Sequence, residues 1–198
     1  EFLTFWQSDS LTSPQRDSFI RTINMLQSKG CKPYPDFVRL TDILMEFKRR
    51  GYDYGQYEKF EKTLLDMNAA GRKFRVNDFS EFLQDMNVFL RKRVVANNQR
   101  TKWNVSKLDF DFSYDNGKFL IKFNNIDLIG YQDRDSLKLY NTSGVLDPRA
   151  KTWVGKGGTL GWERVGYPLD SMNVSLGDYN LNMTDIAIKA ASAVSRNK

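Results

Sequence analysis

The apolar residues of this chain change their period near residue 100, and that change constrains the fold more than any single motif. Before it they recur every three to four residues, which lines one face of a helix. After it they alternate, which lines one face of a strand. The pattern predicts an α+β chain, with a four-helix domain over residues 1–100 and an all-β domain over residues 101–198. The polar run Asn97-Asn98-Gln99-Arg100-Thr101-Lys102 marks the boundary.

Four amphipathic helices are readable. The first takes Ser13 as N-cap and Pro14 as its first residue, lines up Phe19, Ile20, Ile23 and Leu26, and ends before Gly30. The second starts near Pro35 or Asp36, carries Phe37, Leu40, Leu44 and Phe47, and stops at Gly51. The third has Asp53 as N-cap with Gln56 three residues on, a capping-box spacing, and a face of Tyr57, Phe60, Leu64 and Met67. The fourth has Asn77 as N-cap and a face of Phe79, Phe82, Leu83, Met86, Phe89 and Leu90. Ile23, Leu26, Gly30, Lys32, Asp36 and Phe37 find counterparts 41 or 42 residues later in Leu64, Met67, Gly71, Lys73, Asp78 and Phe79. The four helices thus read as one helical hairpin written twice, a spacing typical of paired helices that bury their faces by stacking.

In the second half, Leu108, Phe110 and Phe112 alternate with polar residues, and so do Phe119, Ile121 and Phe123; Asp115-Asn116-Gly117 between them is a strong hairpin signal. Further runs follow at Ile126–Tyr131, Leu137–Tyr140, Met172–Leu176, Tyr179–Leu181 and Ile186–Ala190. Turn signals at intervals of roughly ten residues predict short, mainly antiparallel strands in a sandwich, a curled sheet or a β-solenoid-like array. The last runs suggest a sheet that continues beyond residue 198, and the abrupt ends of the chain suggest an excised piece.

The stretch 140–166 is densest in glycine and holds two of the four tryptophans. Asp147-Pro148-Arg149-Ala150-Lys151 reads as a turn between short β-favouring runs. Gly155-Lys156-Gly157-Gly158 is not a phosphate loop, because Lys156 is followed by glycine and then by a strand; the dinucleotide fingerprint fails at Leu160. Glycines within strands mark bulges, bends or close backbone approach. Trp153 and Trp162 read either as buried sheet residues or, with Lys156 and Arg164, as a ligand-binding platform for sugar or peptide. Tyr140, Ser143, Gly144, Pro148, Trp153, Gly155, Gly157, Gly158, Trp162 and Arg164 together resemble a signature of large, mostly uncharacterised exported envelope proteins of Bacteroidetes-type bacteria. The resemblance brings no catalytic residues to carry over. It implies a context: a module of a long exported chain in the periplasm or on the outer surface, with other envelope proteins or domains of the same chain as partners.

Composition removes several chemistries. There is no histidine and only Cys31 is a thiol, which excludes Ser-His-Asp and Cys-His catalysis, His-ligated metals, ordinary zinc centres and an internal disulfide. No cofactor motif and no metal-ligand spacing is present. The carboxylates Asp109, Asp111, Asp133 and Asp135 read as a solvated face and a turn; nothing in the spacing places the facing pair that glycoside hydrolysis needs. The net charge of +6 is spread over both halves, and the clusters Lys48-Arg49-Arg50, Arg72-Lys73-Arg75 and Arg91-Lys92-Arg93 read as helix ends and solvated loops, without a nucleic-acid-binding pattern. No apolar run of about 18 residues is present to span a membrane as a helix. Asp-Ser-apolar triplets at Asp9-Ser10-Leu11, Asp135-Ser136-Leu137 and Asp170-Ser171-Met172 resemble the O-glycosylation site of the same bacterial group. These features point to a non-catalytic structural or protein-interaction module of a cell-envelope protein. The alternative is a carbohydrate-binding module, or a weak glycosidase, centred on Trp153 and Trp162.

Overall fold

A computed structural model describes residues 2–8, 10–115, 117–164, 174–186, 188–190 and 193–195. The chain is α+β, helices first and then an open antiparallel sheet. One compact unit is Glu1–Arg91; the other is Lys92–Asp115 with Phe119–Lys198.

The first unit holds α1 (Phe2–Gln7), α2 (Ser13–Ser28), α3 (Val38–Arg49), α4 (Tyr54–Ala69) and the greater part of α5 (Val76–Lys92). The short α1 is an addition to the four helices expected; its Phe2 and Trp6 rings pack on Phe19 of α2 at 6.1 and 5.6 Å. Thr12, not Ser13, caps α2, because the capping box closes between Thr12 and Gln15. Asp53 caps α4 by accepting from the Gln56 N–H at 3.0 Å, as the spacing predicts. Asn77 lies inside α5 rather than at its cap, and the Asp78 carboxylate instead accepts from the Arg75 N–H at 2.6 Å. A π-turn at Pro33–Phe37 leads into α3, so this helix begins later than expected. The apolar faces of α3, α4 and α5 are buried as their period requires, but Ile20 of α2 is exposed. No described helix is long and apolar enough to cross a membrane.

The sheet is built from β1 (Val94–Asn97), β2 (Thr101–Val105), β3 (Phe110–Asp115), β4 (Lys118–Gln132), β5 (Asp135–Asp147), β6 (Thr152–Lys156), β7 (Thr159–Arg164), β8 (Val174–Leu176), β9 (Asp178–Asn182), β10 (Ile188–Ala190) and β11 (Ala193–Ser195). The polar run at 97–102 is the β1–β2 turn, where the Asn98 side chain accepts from the N–H groups of Arg100 and Thr101. β4 and β5, at 15 and 13 residues, are longer than ten-residue turn spacing suggests. The difference has a physical cause: the asparagines that resemble turns are interruptions inside strands.

Those interruptions line up. Asn125 in β4 and Asn141 in β5 have φ of 47° and 51°, and Gly157 and Gly158, between β6 and β7, have 71° and 102°. β6 and β7 both pair with β5 and form a single course, since Lys156 faces Ser143 and Thr159 faces Tyr140 with no change of register. β9 and β8 continue the same arrangement alongside, Lys156 facing Asp178 and Thr159 facing Ser175. Main-chain bonds from Gly157 N to Gly177 O and from Leu176 N to Gly158 O carry the ladder across the gap. Donors left free by the bulges are taken by side chains: Asn125 N by Ser143 Oγ at 3.1 Å, Asn141 N by Asp127 Oδ1 at 3.0 Å, and Asp127 N by Ser106 Oγ at 3.0 Å. A transverse seam thus crosses the sheet at mid-strand; β4 and β5 shift register within it, at Ile126 and Thr142, and return to their earlier register beyond it.

On the inward face, large rings lie across glycines of neighbouring strands. A Cβ on Gly130 would stand 2.7 Å from the Trp103 ring, one on Gly144 2.3 Å from the Trp153 ring, and one on Gly155 2.1 Å from Tyr179. Each ring fills the space that its glycine leaves, so these glycines are packing partners. Gly144→Ala is expected to destabilise the protein by about 1–3 kcal/mol, the usual cost of overpacking a core. Gly161→Ala, whose Cβ would meet Tyr140 at an ordinary 3.4 Å, should be nearly neutral. Urea unfolding of the two variants checks the contrast.

Candidate functional site

The outward face beside the seam carries a groove of ≈540 Å³ across β4, β5, β6 and β9. Strand alternation decides what reaches it. Lys122, Val145, Val154 and Asn180 form one outward row across the four strands, and Ser143, Lys156 and Asp178 form the next. Between them Phe123, Gly144, Gly155 and Tyr179 form a row directed to the other face. The result is an apolar strip of Val145 and Val154, the latter 60% exposed, edged by two ammonium groups, two amides from Asn124 and Asn180, a hydroxyl and one carboxylate.

Behind the groove lies a buried polar network. Trp153 Nε1 donates to Tyr179 Oη at 3.0 Å, and Tyr179 Oη shares a 2.6 Å hydrogen bond with Thr142 Oγ1. Burial pushes the Tyr179 phenol above its ordinary range, and its bonds to Thr142 and Trp153 act the other way. The phenol therefore stays neutral and holds three adjacent courses, β5, β6 and β9, at one level.

The four residues predicted as a ligand platform do not form one surface. Trp153 is fully buried and points inward, so it offers no ring face for stacking. Lys156, three positions on, is on the outward face and lines the groove. Trp162 and Arg164 lie on β7 opposite Leu137 and Asp135, and their side chains fall outside the described part. Gly157 and Gly158 serve the seam, and the Asp147 carboxylate makes the predicted turn by accepting from Arg149 N and Ala150 N at 3.1 and 2.9 Å. Thr142 and Tyr179 escaped sequence reasoning; the available signal was the alternation of Tyr179, Leu181 and Met183, which marks them as inward.

The other candidates are structural. Asp109 is exposed and pairs with Lys107 at 3.7 Å, and Asp133 occupies the two-residue β4–β5 turn with φ of 53°. Ser136 is buried in β5 opposite Tyr131, which is no place for an attached glycan; Ser10 bonds to Ser8, and the triplet at 170–172 falls outside the described residues. Cys31 is buried, and burial together with the Asp36 carboxylate pushes its thiol up to about 11, which leaves it unreactive at neutral pH.

No protein-family model, curated protein or solved structure matches the chain. Tyr179→Phe should cost about 1–3 kcal/mol by leaving the Trp153 indole N–H buried without its acceptor. Denaturant unfolding followed by tryptophan fluorescence measures the loss, and an unchanged midpoint would show that the network holds nothing.

Proposed function

We propose that the chain is a non-catalytic interaction module of a large cell-envelope protein, and that it recognises its partner through the outward groove of the sheet. One observation carries this reading. The glycines and Trp153 of the signature are spent on packing and on the seam, while Lys156 of β6 and the exposed groups of neighbouring β4 and β9, Lys122, Asn124 and Asn180, line one groove. A packed frame that presents polar groups along one groove is the architecture of a binding module, in which a scaffold positions the contacting groups. The signature also supports the envelope context.

A carbohydrate-binding reading draws on the same groove, because ammonium and amide groups pair with sugar hydroxyls. It would have to work without stacking on Trp153, which is buried.

The helical part is read as a duplicated hairpin, and local chemistry supports this. Thr12 and Gln15 close a cap 41 residues before Asp53 and Gln56 do the same. Thr22 and Thr63, again 41 apart, are both buried and both have the hydroxyl within hydrogen-bond distance of the carbonyl four residues back. Asp36 accepts from Lys32 N, and Asp78, 42 residues on, accepts from Arg75 N. Gly30 and Gly71, at φ of 89° and 65°, end the first helix of each copy.

The double variant Lys122→Glu/Lys156→Glu tests the groove. Purified chain should bind a component of its own cell-surface extract saturably, and the variant should bind at least about tenfold more weakly at an unchanged melting temperature, a loss on the scale of 1.4 kcal/mol. Equal binding by both proteins would sink the groove as the contact surface. Saturable binding to a purified envelope glycan, lost in the variant, would select the carbohydrate reading.

A further inference from the structure

Between α2 and α4 lies a carboxyl group that the groove does not use. Glu61 is 2% exposed. Its Oε1 accepts from Thr22 Oγ1 at 2.8 Å, and its Oε2 accepts from Ser18 Oγ at 3.0 Å and from Tyr54 Oη at 3.3 Å. All three donors are neutral hydroxyls, two of them on α2, and among the described residues no ion pair is formed with Glu61.

The same hydroxyls have second acceptors on the main chain. Thr22 Oγ1 also lies 3.1 Å from the Ser18 carbonyl, and Tyr54 Oη lies 3.2 Å from the Gln15 carbonyl. With Glu61 ionised, all three hydroxyls can point to the carboxylate. With Glu61 protonated, its new O–H can be given to Thr22 Oγ1, while Thr22 and Tyr54 turn to the Ser18 and Gln15 carbonyls. Hydroxyl rotation thus lets the proton come and go, but only the protonated state avoids holding a charge out of water among neutral groups alone.

No cation forms an ion pair with Glu61 among the described residues. Glu58, on α4 itself, is acidic and acts in the same sense as burial. On α2, Arg16 gives its guanidinium to the Ser8 carbonyl, and Asp17 and Arg21 are exposed. On α3, Asp42 pairs with Arg91, and Glu46 with Arg49 and Arg50. The Tyr54 and Tyr57 phenols are both pushed well above their ordinary range by burial and by Glu61, so they stay neutral. Tyr57 Oη is buried without a hydrogen-bond partner, and it lines with Tyr54 and Gln15 a cavity of ≈140 Å³ beside the cluster. The cavity reaches Tyr54, a donor to the carboxyl group, but not Glu61 itself.

We propose that the Glu61–Ser18–Thr22–Tyr54 cluster is a proton-operated joint: protonated, it fastens α2 to α4, and ionised, it lets the α2–α4 seam open. Burial raises the Glu61 carboxyl above the ordinary 4.5, with the hydroxyl bonds from Thr22, Ser18 and Tyr54 opposing it in part. The closed form therefore binds the proton more tightly than the open form. Its contribution is complete below pH 4.5, the open-form value, and is lost as pH rises through the raised closed-form value. Each unit of that rise is worth about tenfold in the ratio of open to closed.

Hydrogen exchange of the α2 amides in the whole chain, corrected for intrinsic rates, is the test. In the wild type, protection at Thr22–Leu26 should fall several-fold between pH 5 and pH 8, while α5 amides stay level. In Glu61→Gln the α2 protection should be flat over this range. Equal α2 protection at both pH values in the wild type, or a fall that persists in Glu61→Gln, would overturn the joint. If Glu61→Gln does not fold, Ser18→Ala serves instead. It removes a donor to the ionised carboxylate without removing the acceptor of the protonated one, and should move the transition to higher pH; an unmoved transition would overturn the proposal equally.

Discussion

The β unit rests on one constraint: each course of chain at the seam must leave the interruption in the register in which it entered. A slip by one residue would turn Trp153, Tyr179 and Leu181 outward and bring Lys156 and Asp178 into the core. Two devices prevent it. Asn125, Asn141, Gly157 and Gly158 take up the left-handed conformations of the seam, with the freed donors of the asparagines tied to Ser143 and Asp127. Next to the seam, rings seated on Gly130, Gly144 and Gly155 allow only one alignment of ring and gap. Glycine ordinarily weakens a strand because it brings no side chain to pack. Here the neighbouring strand supplies the missing contact.

The helices and their faces are legible in the sequence because their determinants are local. The apolar period, the Asp53 cap and the terminating glycines all act within a turn or two. The strand lengths are not legible, since asparagine and glycine tolerate left-handed backbone equally in a turn between strands and in a bulge within one. Nothing near Asn141 distinguishes the two; the answer lies in Gly157 and Gly158 opposite. Trp153 is ambiguous for the same reason. Its burial depends on Gly144, nine residues earlier, and on Tyr179, 26 residues later. Of the candidate site, Lys156 was readable as a contact residue, but the outward row that joins it to Lys122 and Asn180 exists only once the strands are paired.

Glu61 was more readable than it looked. It stands four residues after Tyr57 and three before Leu64, in the middle of the apolar face of α4. An acidic residue inside such a stripe signals a buried polar contact, but its partners Ser18 and Thr22 lie 43 and 39 residues away and carry no pattern of their own. The two units also handle buried polar groups differently. Tyr179 joins its strands through a phenol that burial keeps neutral. Glu61 joins its helices through a carboxyl group held by neutral hydroxyls.

The alternation of faces at the seam has a consequence for how such a sheet tolerates change. Positions 144, 155, 157 and 158 are closed to other side chains by rings, by neighbouring backbone or by backbone conformation. Their neighbours 122, 145, 154, 156 and 180 look outward and touch none of the devices that hold the register. Substitution can therefore rewrite what the groove recognises while the frame beneath it stays the same, and two proteins sharing this frame need have no ligand in common.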